Sequence, residues 1–496
     1  MKKSLLSLFI FSYFASYAGA NENNNVGRDP SQTDVNTSSL VTEKEVQEHS
    51  LRTQTMSVEK SEADQPQVAR FTGKELRENP EILEKLFVQS LISPNKNVLP
   101  TYIQLYQQVP TADLSLIEWG EAILLREKNL NESVAAYRTL SSKFPNNDYI
   151  RFQLAETLFY NQEFEAAKGQ FERLRASNGV SEGDVKVFDN FIEAIDRKED
   201  WNFSFGSTFL NDKNLANSAK QGTTATLPNG ATVTYNTPRQ SGQGISAWVG
   251  ADKRWGLSGG KYLNFETSLS SKYYWDNKSY NDVNAHLGLG LGYSDARKNI
   301  QFTPYVQKRW YAGGLNASKA LKQYNDTYGA SLSANYWLTQ GVRYSFYYNF
   351  GFDKYNRAVN KQYEGISHAL TNSIMYFPSS TQYWSLALDL STKNAKDKTN
   401  AYDRVGTRLT WGQEWPLGLS TSTTLGVAKR NYKEASFFGK KQKNTEYSAS
   451  LSLWHKELHF AGFTPKITFS YSKVDSNIPI YSYDKNQIFF DVSKSF

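Results

Sequence analysis

From Trp201 onward the residues alternate between apolar and polar, and this limits the chain more than any other feature. Val342, Tyr344, Phe346, Tyr348, Phe350 and Phe352 form one series, and Arg343, Ser345, Tyr347, Asn349 and Gly351 form the other. Leu386, Leu388 and Leu390 against Ser385, Ala387 and Asp389 repeat the pattern, as do Ile467, Phe469 and Tyr471 against Lys466, Thr468 and Ser470. A period of two puts successive side chains on opposite faces of a strand. A soluble sandwich also alternates, but it seldom sustains strands of this length with aromatics at their ends. A membrane-spanning β-barrel does, because lipid takes the apolar face and aromatic girdles sit at both interfaces. Ten of the 11 Trp lie beyond Lys198.

Strands are predicted near 202–211, 243–255, 261–275, 281–295, 298–312, 324–338, 341–354, 363–377, 381–393, 402–415, 418–432, 443–456, 460–474 and 483–496. That is about fourteen, an even number as a bacterial single-chain barrel requires. Short turns at Thr339–Gln340, Pro378–Ser380 and Pro416–Leu417 interleave with long loops at Asp212–Gly242, Gly313–Gln323, Asn394–Ala401, Lys433–Gln442 and Lys473–Ser482. Short periplasmic turns and long surface loops produce that asymmetry. Ile488, Phe490 and Val492 share one parity and Phe496 closes the chain, so Phe490, Val492 and Phe496 read as a signal for the barrel-assembly machinery.

The N-terminal 200 residues are different. Lys2 and Lys3, the apolar stretch Leu5–Tyr17 and Ala18-Gly19-Ala20 have the layout of a signal peptide cleaved after Ala20 (residues 1–20). Residues 21–70 are rich in Asn, Ser, Thr, Gln and Glu and lack aromatics, which predicts a disordered lead-in. Residues 71–200 switch to helical periodicity. Thr72 and Glu75 have capping-box spacing, and Pro80 suits a first helical turn. Helices are expected over Val98–Val109 and Leu114–Glu127. Leu130, Ser133, Tyr137 and Leu140 recur 34 positions later as Phe164, Ala167, Phe171 and Leu174, with Leu154 and Ala155 in the helix between. This period is that of a tetratricopeptide repeat, with Leu130, Tyr137, Leu154, Phe164, Ala167 and Phe171 as its packing residues. Such repeats stack into a surface that binds peptide or protein, or they serve as a spacer. The fold class is thus α+β multidomain: an all-α tetratricopeptide-like domain (71–200), then a 14-stranded transmembrane antiparallel β-barrel (201–496).

No enzyme constellation emerges, and no catalytic, cofactor-binding or metal residue is assigned. The absence of Cys excludes Cys-ligated metal sites. His455 and His459 have the spacing of a metal-binding helix but fall at a predicted strand end. Gly288, Gly290 and Gly292 lack a following helix, so they imply no dinucleotide; they are read as thinning one wall or keeping side chains out of the lumen. Residues 21–200 carry 20 Lys and Arg against 30 Asp and Glu, and residues 201–496 carry 34 against 19. A basic barrel can steer a charged client or bind lipopolysaccharide phosphate, or its basic residues can simply solvate loops. Lys440, Lys441 and Lys443 cluster in a loop expected outside the cell, where nucleic acid is no partner.

The order of three stretches along the chain resembles the Slam family, the surface lipoprotein assembly modulators. These are the repeat region with Leu154-Ala155 and Phe164–Phe171, the junction Phe191–Trp201, and the first strand ending in Asp212, Asn214 and Asn217. The resemblance implies a periplasmic repeat domain on a 14-stranded outer-membrane barrel that works as a translocon of the type XI secretion kind. Its clients would be surface lipoproteins or secreted haem- or iron-binding proteins. The repeats would engage client or periplasmic chaperone, and the barrel would supply the path. The residues alone also fit a passive porin with a protein-binding arm. Both readings place the protein in the outer membrane, in contact with its lipid.

Overall fold

The computed structural model describes residues 71–177, 180–458, 463 and 465–495. The signal segment with Ala20, the lead-in, His459 and Phe496 lie outside the described residues.

Eight helices among the described residues form the arm: α1 (Gly73–Glu78), α2 (Pro80–Ile92), α3 (Leu99–Tyr106), α4 (Leu114–Lys128), α5 (Leu130–Lys143), α6 (Asp148–Tyr160), α7 (Phe164–Arg175) and α8 (Glu182–Glu199). Local chemistry sets their ends. Thr72 and Glu75 form the reciprocal capping box of α1. The Asn129 side chain accepts from the N–H groups of Asn131 and Glu132 at the start of α5, and Asn147 does the same for Tyr149 and Ile150 in α6. Helix α3 stops at Tyr106, short of the expected Val109, as the chain turns towards Pro110.

Tyr137, Leu154, Phe164, Ala167 and Phe171 are buried in one continuous core, and Leu130 is half-buried at the start of α5. Ala167 is fully buried, which lets α7 lie close to its neighbours while Phe171 stacks on Phe191 of α8 at 4.6 Å. One polar side chain ties the repeats together. Buried Gln153 on α6 accepts from Trp119 Nε1 (2.6 Å) on α4 and Tyr137 Oη (3.0 Å) on α5, and its amide donates to the Leu91 carbonyl (2.7 Å) at the end of α2. Trp119 and Gln153 are themselves 34 positions apart, so the knot joins equivalent points of successive repeats.

Helix α8 runs almost directly into β1 (Asn202–Asp212). A small hairpin follows, β2 (Thr223–Thr226) and β3 (Thr232–Tyr235). The barrel continues with β4 (Gly242–Gly256), β5 (Lys261–Tyr274), β6 (Asp282–Ser294), β7 (Lys298–Tyr311), β8 (Lys322–Thr339), β9 (Val342–Tyr355) and β10 (Gly365–Ser379). It ends with β11 (Gln382–Ala395), β12 (Tyr402–Glu414), β13 (Leu419–Ala435), β14 (Lys441–His455), β15 (Lys466–Ser476) and β16 (Tyr483–Ser495). These 14 strands form a closed antiparallel meander, with β16 returning to β1. The hairpin β2–β3 stands apart from it. It lies inside what the sequence suggests is one long loop, because strands of four residues are too short to show alternation.

Closure leaves no edge, so the backbone groups of the wall can pair within the sheet. Parity then decides which side chains meet lipid. Leu287, Leu289, Leu386, Leu388 and Leu451 project outward in the middle of the wall. Trp255, Tyr336, Tyr376, Trp384 and Trp415 face outward towards the short-turn end, and Phe209, Tyr273, Trp275, Tyr447 and Tyr471 towards the long-loop end. Polar side chains also occur in the outward series, and two of them, Asn372 and His368, are satisfied by tyrosine hydroxyls. Asn372 accepts from Tyr344 Oη and His368 bonds Tyr348 Oη, each at 2.7 Å. Gly288, Gly290 and Gly292 do not leave the wall thin. A Cβ there would run into Glu266 and Thr303, into Thr303 again, and into the Tyr262 ring. The empty positions are filled by side chains of neighbouring strands.

Replacing Gln153 by Leu removes partners from Trp119, Tyr137 and the Leu91 carbonyl at once, at a cost of about 1–3 kcal/mol per stranded group. Amide exchange in α4, α5 and α6 of the full-length protein should accelerate by roughly tenfold or more. Exchange in the barrel strands should stay unchanged.

Candidate functional site

The arm does not hang from a linker. It is seated on the short-turn end of the barrel, on the β4–β5 and β6–β7 turns. Asn131 Nδ2 donates to Asp295 Oδ2 (3.2 Å), and the Ala296 N–H donates to Asn161 Oδ1 (3.4 Å). The Ser294 hydroxyl donates to the Gln162 side-chain carbonyl. Gln162 takes a left-handed backbone (φ 62°), which for a residue with a Cβ costs on the order of 1 kcal/mol or more and turns α6 into α7 at the contact. Asn161 also donates to Asn131 Oδ1 (2.9 Å), so both arm residues are held before they meet the barrel.

Asp295 is the centre of this seat. Burial opposes its ionisation, but the N–H groups of Arg297 (2.8 Å) and Lys298 (3.0 Å) and the side chains of Asn131 and Tyr293 outweigh that, so its carboxyl sits below the usual range. A second contact joins α8 to β4. Burial raises the Glu199 carboxyl, opposed by the Gly256 N–H and the charge of Arg254. The Glu199 carboxylate lies against Gly256, where a Cβ would fall 2.1 Å from its Oε1 and displace it. The Arg254 guanidinium lies 3.7 Å from the Tyr262 ring centre, and Arg254 and Lys198 both approach Phe164, at 5.9 and 5.5 Å. Phe164 therefore serves the repeat core and the seat together. Sequence reasoning found Phe164 but missed Asn131, Asn161, Gln162 and Asp295. An Asn-Gln pair between helices reads as a turn, and nothing local marks a contact 135 residues away.

The lumen is lined by short polar side chains. Between the ends of β13, β14 and β15 the inward positions include Ser422, Thr424, Ser450, Ser452, Thr468 and Ser470. Several of these hydroxyls satisfy one another, as in Ser452–Thr468 (2.9 Å) and Thr410–Thr424 (3.0 Å). Inward charges are paired. Arg408 binds Asp389, Arg404 and Arg430 share Glu446, Arg309 binds Asp282, and Lys393 binds Asp353. Tyr347 also points inward yet is 37% exposed, so the lumen keeps open space beside β9.

At the long-loop end the chain folds inward on itself. After β1, residues Asn214–Ala219 are all buried. Asp212 Oδ1 accepts the Asn214 N–H (2.8 Å), and Asn214 exchanges hydrogen bonds with the backbone of Ser218. Asn217 adopts a left-handed backbone (φ 45°). Buried Lys485 on β16 pins the segment, reaching Asp212 Oδ2 at 2.6 Å and Asn217 Oδ1 at 3.3 Å. The Asp212, Asn214 and Asn217 spacing picked out in the sequence is thus the frame of an inward-folded plug. Leu215 and Ala216 pack against Leu210, Tyr274 and Tyr280. The β2–β3 hairpin lies over the neighbouring loops, where Ala225 and Tyr235 join Phe438, Ile478, Ile480 and Tyr481 in a second small core. Phe490 and Val492 sit on β16 opposite Phe209 and Ser207, at the seam that closes the barrel.

A closed 14-stranded barrel with a repeat arm fixed on one mouth and its own chain folded into the other has the architecture of an outer-membrane barrel with a helical repeat domain. Residues 201–496 match the family described as "Surface lipoprotein assembly modifier", and residues 69–171 match its N-terminal TPR repeats. The chain belongs to this family. It is 38% identical to Surface lipoprotein assembly modifier 1 of Haemophilus influenzae, over 87% of this chain and 88% of that one. It is 30% identical to Surface lipoprotein assembly modifier 1 of Neisseria meningitidis serogroup B, over 86% of each. The Hemophilin secretion modulator of Acinetobacter baumannii is 22% identical, over 86% of this chain and 88% of that one.

Two outcomes test the geometry. Because the folded carboxyl of Asp295 is depressed, its contribution to the seat is complete above the unfolded value near 3.9 and is lost as pH falls through the folded value. Spin labels at Glu172→Cys and Ser379→Cys should give a narrow distance distribution at neutral pH that broadens below about pH 4, and Asp295→Ala should broaden it at every pH. Lys485→Ala leaves the Asp212 carboxylate buried without its cation, a loss of about 3–5 kcal/mol. Planar bilayers should then show larger and longer current steps than the parent protein.

Proposed function

We propose that this protein is a translocon that exports client polypeptides across the outer membrane or displays them on the cell surface. The short-turn end and the arm lie in the periplasm, and the long loops lie outside. The clients are surface lipoproteins or secreted haem- or iron-binding proteins. Relatives named for surface lipoprotein assembly support the first class, and the relative named for hemophilin secretion supports the second. The repeat arm engages the client or its periplasmic chaperone, and the barrel supplies the path. The barrel-assembly machinery inserts the protein.

The observation that carries this reading is the pairing of a seated repeat arm with a plugged outer mouth. A repeat domain exists to hold protein. Fixing one over a barrel mouth through Asp295, Asn161 and Glu199 keeps what it holds next to the lumen. The hydroxyl-lined wall and the ion pairs named above leave an extended chain few charges at which to stall. Directionality is supplied by the client folding once outside. A passive porin needs an open outer mouth, into which Asn214–Ala219 fold; the open space beside Tyr347 favours the porin.

The test is reconstituted export. The protein is expressed in an outer-membrane-competent host with each candidate client encoded beside its gene, and client is measured on cells and in medium, with and without residues 71–200. Client should appear outside only with the full protein, and deleting the arm should abolish export while the barrel still assembles. No export of any candidate, together with steady conductance in planar bilayers, leaves a porin.

A further inference from the structure

The barrel presents a lysine cluster to the membrane that export does not use. On β13, β14 and β15 the odd-numbered positions face outward, as exposed Leu425, Val427, Tyr447, Leu451 and Tyr471 show. Lys429 and Lys433 on β13, Lys441 and Lys443 on β14, and Lys473 on β15 share that parity. The register brings them together: Lys429 pairs across from Thr445, Lys443 from Asn431, and Lys473 from Tyr447. Their even-numbered neighbour Arg430 points into the lumen and is neutralised by Glu446 at 2.9 Å. The outward set is handled differently. Lys433 meets Asp403 (3.3 Å) and Lys473 meets Asp475 (2.9 Å). The ammonium groups of Lys429, Lys441, Lys443 and the adjoining loop residue Lys440 have no acidic partner among the described residues.

Depth says what they face. Val427 pairs with Tyr447, a residue of the aromatic girdle on the long-loop side. Lys473 stands at that level and Lys429 lies two residues above it, a rise of about 7 Å. Lys433 is another four residues on, so the cluster spans roughly 20 Å along the tilted strands, from the girdle through the headgroup level and beyond it. Phe437, 76% exposed, caps it. A phospholipid places its single phosphate at one depth. Several cations without acidic partners on adjacent strands, with an exposed ring above them, fit a lipid that carries two phosphates side by side on a sugar scaffold.

We propose that the outer face of β13–β15 binds the phosphates of the glycolipid of the outer leaflet, the lipid A part of lipopolysaccharide. This rests on the orientation proposed above, with the long loops outside. Lysine clusters over an anionic headgroup gain both from local charge and from release of counterions, so binding weakens with salt.

Full-length protein in detergent is offered bisphosphorylated lipid A, dephosphorylated lipid A or phosphatidylglycerol, and bound lipid is read by native mass spectrometry. Bisphosphorylated lipid A should be retained in preference to the other two. Lys429→Gln, Lys441→Gln and Lys443→Gln together should abolish that preference. Lys319→Gln, Lys322→Gln and Lys361→Gln, which remove equal charge from elsewhere at the long-loop end, should leave it intact. Equal retention of the phosphorylated and dephosphorylated forms by the unmodified protein overturns the proposal without recourse to any variant. So does equal retention of phosphatidylglycerol, or an equal effect of both triple variants. The chain has no native cysteine, so Lys440→Cys reports orientation separately. Labelling by an impermeant maleimide on intact cells is expected. Labelling only after lysis refutes the orientation, whatever lipid binds to the purified protein.

Discussion

Everything in this molecule follows from the need to pair the backbone inside hydrocarbon. A strand crossing lipid has no water to satisfy its N–H and C=O groups, so the sheet must close on itself. Here β16 returns to β1, and a single meander of 14 strands results. Once the ring is closed, parity is no longer free. A slip of one residue in any strand would turn its Leu and Trp inward and its Ser and Arg into lipid. The uninterrupted β1–β4 register from Asn202–Asp252 to Asp212–Gly242 is therefore fixed at every step. The even strand number also puts both ends of the barrel on the same side, which leaves α8 at the short-turn end.

That constraint explains how much could be read beforehand. Each strand carries its own alternation, so the wall was legible strand by strand from residues such as Leu386, Leu388 and Leu390. The 34-residue recurrence of Tyr137 as Phe171 was legible for the same reason, because packing repeats itself. What escaped was chemistry used once. Gln153 occupies the position equivalent to Trp119, and no periodicity links an amide to an indole. Asn161 and Gln162 look like any helix–helix turn until Ser294 and Ala296 are brought to them by the fold. The β2–β3 hairpin was hidden by brevity. The glycines of β6 were visible, but not their use, since the ring that occupies the space beside Gly292 comes from β5.

Most charged groups in the barrel follow one rule. Inside the lumen, charges come in matched sets such as Arg408–Asp389 and the Arg404–Glu446–Arg430 triad. On the lipid face, His368 and Asn372 are tolerated because a tyrosine hydroxyl reaches each of them. A buried group left alone would cost several kcal/mol, while a matched one is near neutral. The outward lysines of β13 and β14 are the contrast. They lie where headgroups and water begin, and there an unpaired cation costs little and is free to take an anion from outside the chain.

The same strands that hold the arm also reach the plug. β1 leads from α8 to Asp212, and β4 carries Gly256 at the seat and Gly242 against Leu215 at the outer mouth. It is tempting to imagine the arm pulling on β1 to open the far end. The ladder forbids it, because β1 is hydrogen-bonded to β4 on one side and β16 on the other, and sliding by one residue would expose its polar face to lipid. A plug at the end of an immovable strand has to be released where it is held. What holds it is local: Lys485 between Asp212 and Asn217, the Gln487 amide on Asp212, and the packing of Leu215 against Leu210, Tyr274 and Tyr280. On the proposed export function, such a local latch would yield to a client in the lumen while every strand of the wall keeps its register.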